Sequence, residues 1–393
     1  MYQDIDVCIT KIKGLAISSP YGKGSSFSYP LGVKSVGIVK IYSESGQYGL
    51  GETYVGVYAP ELIQPIVKFL ESFIVGKSVG CVSIIEDMQN IPFVGRNGVV
   101  RSVISAIETA VWDLRGKLLG VPTCELLNGK SRGEAPVYAS SGTVVMSPEE
   151  ITLDVVEVMD LGYEAYKMRV GFQSWGNDIK RVQFAREALG KGDLMVDAIM
   201  GTLQPPWSAD YAINCSKDLV NFNLRWLEEP VHPDNITGLA KVRKNSIIPI
   251  AAGEAYSGNG EFQSLLYQNS VDILQFDATH SGGLLPCFLL AKKAKSLNLE
   301  SAMHVWGSAI AISANAQIAL ASEDVGTLEI PMVSLEINKY MWVSQPKIEN
   351  GTWKATGEPG LGVILDDETI NKYPLQPGSG YRLQKNKQKI QAF

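Results

Sequence analysis

Short apolar runs that each end on a chemically active side chain recur through the second half of this chain, and few folds accommodate that pattern. DLMVDA carries Asp197, LRWLEEP carries Glu228, and IPIAAGE ends on Glu254. DILQFDA then brings Asp277, and LESAMHVW brings His304. Successive positions stand roughly 25 to 30 residues apart, the length of one strand–helix unit of a (β/α)8 barrel, where functional side chains sit at the C-terminal strand ends. PVYASSG and EAYKMRV read as earlier strands of the same series. SWGNDIKRVQFAREALG and NGEFQSLLYQ lie between strands and read as helices. This alternation predicts an αβ-barrel.

The first part reads differently, as a few strands followed by helices. SVGIVKIYSE alternates like a strand, SGQYG is its turn, and GLGETYVGV is a second strand end before a helical run from Pro60. GVVRSVISAIETAVWDLRGKLLG has apolar residues at helical spacing, stopped by Gly120 and Pro122. SSPYGKGSSFSYPLG is either irregular filler or a lid that closes Tyr21, Phe27 and Tyr29 on a ligand. The late segment KATGEPGLGVILDDETI reads as strand and turns that return to the first domain. These divisions place domains at 1–130, 131–350 and 351–393.

With 393 residues the chain suits one large and one smaller domain. Its formal charge of -6 gives no general attraction to nucleic acid or anionic membrane. The lysines of KNKQK read as a solvated terminus. Five cysteines, an odd number with no C-x-x-C pair, argue against a disulfide scaffold or a cysteine-rich zinc site. No signal-like apolar start and no unbroken apolar stretch of membrane length is present, so the expected location is the cytoplasm.

Asp197, Glu228 and Glu254 offer a hard divalent cation three carboxylates and leave positions open, which suits magnesium. No histidine lies among them, which disfavours zinc. Glu229 would face the other way in a strand, yet residue chemistry alone leaves the choice between Glu228 and Glu229 open. His304, oriented by Asp277, is a candidate general base. His232 and His280 read as loop histidines. Lys167 and Arg169 stand two apart in a strand and face the same way, opposite the histidine. Lysine can pair with a substrate carboxylate, whereas arginine is a very poor proton acceptor. Such parts suit removal of the proton next to a carboxylate, with a divalent ion and Lys167 stabilising the enediolate.

Taken together these motifs resemble the enolase superfamily in its mandelate racemase branch, over nearly the whole chain. The resemblance implies an N-terminal α+β capping domain with substrate lid loops, a modified (β/α)7β TIM-type barrel, and a C-terminal segment returning to the cap. AIETAVWDLRGKLLGVPTCELLNG resembles the helix that leads from cap to barrel. By the same resemblance Asp197, Glu228 and Glu254 match the Mg2+ ligands, the first glutamate of EEP taking that role. Asp277 and His304 match an Asp–His dyad. Glu329, in GTLEIP, matches an acid bonded to the substrate carboxylate. A homo-oligomer, from dimer to octamer, is implied as well.

Two departures bear on the reaction. Two-base relatives carry K-x-K where this chain has KMR, so Arg169 replaces a base. Ile199 stands where relatives often have Asn or His, and a histidine there assists the leaving group in galactonate dehydratase-like members. A one-base elimination is therefore expected, with His304 taking the C2 proton and the C3 hydroxyl leaving. The proton for that hydroxyl comes from His304, from water, or from Tyr21 or Tyr29. The chain resembles the sugar-acid dehydratases of sugar-oxidising archaea, acting on arabinonate, gluconate, xylonate or galactonate, with D-arabinonate or another pentonate ahead. The alternative is a racemase or epimerase of a 2-hydroxy acid, and a barrel that binds without turnover is the rival outside enzymes.

Overall fold

The computed structural model describes residues 5–21, 32–81, 83–203, 205–333 and 335–380. Three antiparallel strands begin the chain: β1 (Ile9–Pro20), β2 (Val33–Ser43) and β3 (Tyr48–Thr53). The hairpin expected from SGQYG joins β2 to β3, with Tyr42 opposite Tyr48. The long β1 was not marked from sequence, although Ile9 and Ile12 are buried in the cap core. Helices α1 (Val55–Tyr58), α2 (Ile63–Leu70), α3 (Ser83–Gln89), α4 (Gly98–Leu119) and α5 (Thr123–Asn128) follow. Gly120 ends α4 in the left-handed conformation at φ 69°, as its position predicted. Gly49 and Gly51 let α4 lie directly on β3, because a Cβ on Gly51 would stand 1.9 Å from the Ala106 carbonyl oxygen.

Eight parallel strands then close on themselves: β4 (Glu134–Ser140), β5 (Ala165–Arg169), β6 (Asp193–Asp197), β7 (Leu224–Glu228), β8 (Ile250–Ala252), β9 (Ile273–Phe276), β10 (Glu300–Met303) and β11 (Thr327–Pro331). Pairing of β11 with β4 completes the barrel. Helices α6 (Pro148–Asp160), α7 (Trp175–Leu189), α8 (Ala209–Leu219), α9 (Ile236–Asn245), α10 (Asn259–Tyr267), α11 (Leu284–Ser296) and α12 (Ala309–Ala321) fill the seven connections. This is the expected barrel with an N-terminal β/α cap. The middles of the strands are largely apolar because both faces are buried, and the polar residues gather at the strand ends.

Inside the barrel, Tyr138, Ala165, Met195, Trp226, Ala251, Ile273 and Ala302 form one packed layer. Side chains two residues on point the same way. From Ala165, Met195, Trp226 and Ala302 that step reaches Lys167, Asp197, Glu228 and His304. The candidate site side chains are thus the next layer above a closed floor.

Two short strands, β12 (Lys347–Glu349) and β13 (Thr352–Lys354), add antiparallel to β4. DDETI forms the helix α13 (Asp367–Lys372) rather than strand and turn, because the Asp366 side chain accepts from Thr369 N and caps it. The segment does return to the cap: Lys40 Nζ donates to the Leu365 carbonyl, and Ser18 N to that of Tyr373. The cysteines are free among the described residues, and no described helix is long and apolar enough to cross a membrane. Phe27, Tyr29 and the KNKQK tail lie outside the described residues.

Candidate active site

The strand ends bring four of the eight singled-out side chains into one buried electrostatic cluster. Lys167 Nζ lies 2.6 Å from Glu228, 3.0 Å from Glu329 and 3.6 Å from Asp197. Register places Asp197 directly beside Glu228 across the β6–β7 ladder. Trp226 Nε1 donates to the second oxygen of Glu228. Burial raises the pKa of Asp197 and of Glu228, and nearby carboxylates push the same way against Lys167. Burial alone would also raise Glu329, but Lys167, His304 and Arg169 hold it down at about 2.

Glu254 sits two residues beyond β8, after Gly253, and turns toward the histidine, with its carboxylate 3.1 Å from His304 Nε2. Nδ1 of His304 bonds Asp277 Oδ2 at 2.9 Å. Burial disfavours the imidazolium, yet Glu254, Glu329 and Asp277 together lift its pKa to about 9. Asp277 is itself fixed, since Oδ1 accepts from Thr279 N, Thr279 Oγ1 and Asn315 Nδ2. The expected imidazole–carboxylate pair is therefore present as a geometry.

Arg169 donates to the Ser141 carbonyl and to Ser140 Oγ while lining the cleft above these groups. Ile199 and Thr202 form the wall beside it. Ile199 has φ 46° and Glu229 φ 41°, left-handed values that side chains adopt at a cost. Strand alternation fails for Glu229 on this account. β7 ends at Glu228, and the next residue turns back so that its buried carboxyl feels Glu254, Asp197 and Glu228. One oxygen of Glu229 is buried without a hydrogen-bond partner. His280 lies in the loop after β9 against Tyr54, and His232 is a half-exposed loop residue.

Among the described residues no three His, Cys, Asp or Glu side chains stand in a metal-holding arrangement. The cause is visible: Lys167 lies between Asp197 and Glu228, while Glu254 faces His304. The donor set nevertheless fits a hard cation. It is all oxygen and buried, and burial, with repulsion between the carboxylates adding to it, raises every one of the three pKa values.

Several participants were not found by sequence reasoning. Tyr54, at the end of β3, sets its ring edge-on to His304, with centroids 6.0 Å apart. Trp306 Nε1 donates to Tyr21 Oη, the one proposed lid residue the structure describes. Lys34 stacks 4.0 Å over the Trp306 ring and donates to its carbonyl. Burial lowers the Lys34 pKa to about 7 despite Glu52 nearby.

Two cap carboxylates fasten the dyad from behind. Glu52 accepts from Ser308 N, Ser308 Oγ and Ala311 N, in the first turn of α12, the helix after His304. Glu108 accepts from Leu284 N and Leu285 N, in the first turn of α11, the helix after Asp277. Each places carboxyl oxygens as acceptors where a helix has unpaired N–H groups. An acidic residue inside an otherwise apolar strand or helix was the available signal in GLGETYV and SAIETAVW.

Residues 151–369 match the family described as enolase C-terminal domain-like, and residues 30–128 match the mandelate racemase / muconate lactonizing enzyme N-terminal domain. The chain belongs to the enolase superfamily, in its mandelate racemase and muconate lactonizing branch, and is an enzyme of that family. The D-gluconate/D-galactonate dehydratase of Picrophilus torridus is 29% identical over 372 residues, covering 91% of each chain. The 3,6-anhydro-D-galactonate cycloisomerase of Zobellia galactanivorans superposes with a TM-score of 0.83 at 29% identity, over 93% of this chain and 99% of that one. A racemase from Streptomyces coelicolor A3(2), solved with bound magnesium, gives 0.83 at 26% identity over the same shares.

Proposed function

We propose that this enzyme dehydrates an aldonic acid to a 2-keto-3-deoxy acid, with D-arabinonate or another pentonate as the first substrates to test. The observation that carries the reading is the His304–Asp277 pair beside Lys167 and Glu329. Asp277 holds the ring at Nδ1, and Nε2 faces Glu254 where both residues line the cleft. Asp197, Glu228 and Glu254 would hold Mg2+. When bound, such a cation supplies positive charge that relieves the carboxylates and meets charge growing on the substrate carboxylate.

In its neutral form His304 takes the C2 proton at Nε2, and Asp277 stabilises the imidazolium that results. Lys167, held in place by Glu329, positions the substrate carboxylate, on which the electron pair is delocalised. The C3–O bond then breaks, the electron pair forming the C2–C3 double bond. The departing oxygen takes the proton from His304 and leaves as water. The enol gains a proton at C3 as its own hydroxyl loses one, giving the keto acid. Arg169 stays charged throughout and offers no second base, which favours elimination over inversion.

Turnover of C4–C6 sugar acids in deuterium oxide with magnesium tests the reading. A 2-keto-3-deoxy product is the expected result. C2-deuterated, inverted substrate without keto acid would instead identify a racemase, and no reaction across the panel would favour a binding role. His304→Asn should cost on the order of 10^2–10^4 in turnover.

A further inference from the structure

A second cavity lies away from the catalytic cleft, where α3 and α4 of the cap meet α10 and α11 of the barrel. Its volume is about 450 Å3, within the range of small-molecule sites, roughly 300–1,000 Å3. Phe262, Leu266, Leu285 and Leu290 give it apolar walls. Leu289, 53% exposed, and Lys293 stand at its mouth.

At the inner end is Arg101, only 7% exposed. Its Nε is buried without a hydrogen-bond partner, and its guanidinium makes no ion pair among the described residues. The neighbouring carboxylate does not serve it. Glu108 is engaged by Leu284 N, Leu285 N and Trp112 Nε1. Arg115, also in the lining, donates to the Val79 and Cys81 carbonyls. A buried guanidinium N–H without a partner is costly, and its cost is relieved by an anion that presents oxygens to it.

We propose that this cavity binds a small organic anion, a carboxylate carried on an apolar body. The carboxylate pairs with Arg101, and the body rests between Phe262, Leu285 and Leu290. Lys293 at the mouth adds attraction for the same charge. Arg101 lies against the SGG turn that links β9 to α11: a Cβ on Gly282 would come within 2.7 Å of its Nη2. Ser281 of that turn lines the cavity and accepts from the backbone N–H of Asp277. An occupant therefore touches the loop that carries the dyad aspartate without entering the catalytic cleft.

The probe is 4-bromophenylacetate, titrated into the full-length protein by calorimetry and soaked into crystals for bromine anomalous scattering. Saturable binding is expected, with the bromine inside this cavity. Arg101→Gln should weaken it at least about tenfold, and so should Leu289→Glu at the half-exposed rim, where folding is not at stake. The uncharged 4-bromobenzyl alcohol should bind at least about tenfold more weakly. Both variants should keep sugar-acid turnover, which separates this site from the catalytic one. No saturation, bromine only in the catalytic cleft, or unchanged affinity in both variants would overturn the proposal.

Discussion

Replacing Asp277 by asparagine changes almost no volume, and the surroundings dictate which way the new amide faces. Oδ1 of Asp277 accepts from Thr279 N at 2.8 Å and from Asn315 Nδ2 at 2.9 Å. Asn315 cannot turn to suit an altered partner, because its own oxygen accepts from Ala278 N and its amide also donates to the Ala311 carbonyl. An inverted asparagine would set its NH2 against both donors. Each buried donor left unsatisfied costs about 1–3 kcal/mol, so inversion costs about 2–6 kcal/mol and is populated to no more than about 3%. The amide oxygen therefore stays with these donors, and the NH2 faces His304 Nδ1. Donation to Nδ1 forces the proton onto Nε2, the nitrogen that must accept one from substrate. The same change in a serine-protease triad costs about four orders of magnitude, and general-base loss spans about 10^2–10^4. Turnover should fall within that range while melting temperature and circular dichroism stay near wild type. Keto-acid formation and C2 deuterium exchange should fall together. A folded variant turning over within about tenfold of wild type would refute the assigned base.

The charged groups behind the site give further measurable outcomes. Burial raises the Glu108 carboxyl from an ordinary 4.5 to about 7, so the stability it contributes is complete below pH 4.5 and lost as pH rises through 7. The difference is about 3 kcal/mol. Urea unfolding of wild type and Glu108→Gln between these limits should diverge by that amount, and parallel curves would count against it. Lys167→Met strands Glu228, Asp197 and Glu329, and should cost about 3–5 kcal/mol in chelator buffer. Magnesium should then raise the melting temperature of the variant more than that of wild type. A variant whose melting is unmoved in either buffer would refute the role of Lys167 as their counter-charge.

The barrel was readable because each strand is short, apolar and closed by a polar group, so period and position agreed. α4 was readable because one unbroken helical stripe ends in Gly120. β1 was less so: a register shift between Ile9 and Lys11 breaks its alternation, and its pairing with β2 is decided between strands rather than locally. The dyad lay at strand ends and could be named. Which group faces which could not, since Glu254 against His304 and Lys167 between carboxylates depend on side-chain direction beyond the strand. Glu229 eluded the alternation rule because the backbone leaves the strand at that residue. Glu52, Glu108, Tyr54 and Lys34 act across the domain contact, a separation that no local pattern reports.

Glu52 and Glu108 tie the cap to the first turns of the two helices behind His304 and Asp277. Swinging the cap open would break hydrogen bonds at both points, whereas the rim of the cleft bears Tyr21, Tyr54 and Tyr58. The groups around the cleft mouth and the pair assigned to proton transfer thus sit in separate parts. Rim residues can be exchanged to retune selectivity with the chemistry intact, whereas loss of either clamp should impair turnover of every substrate alike.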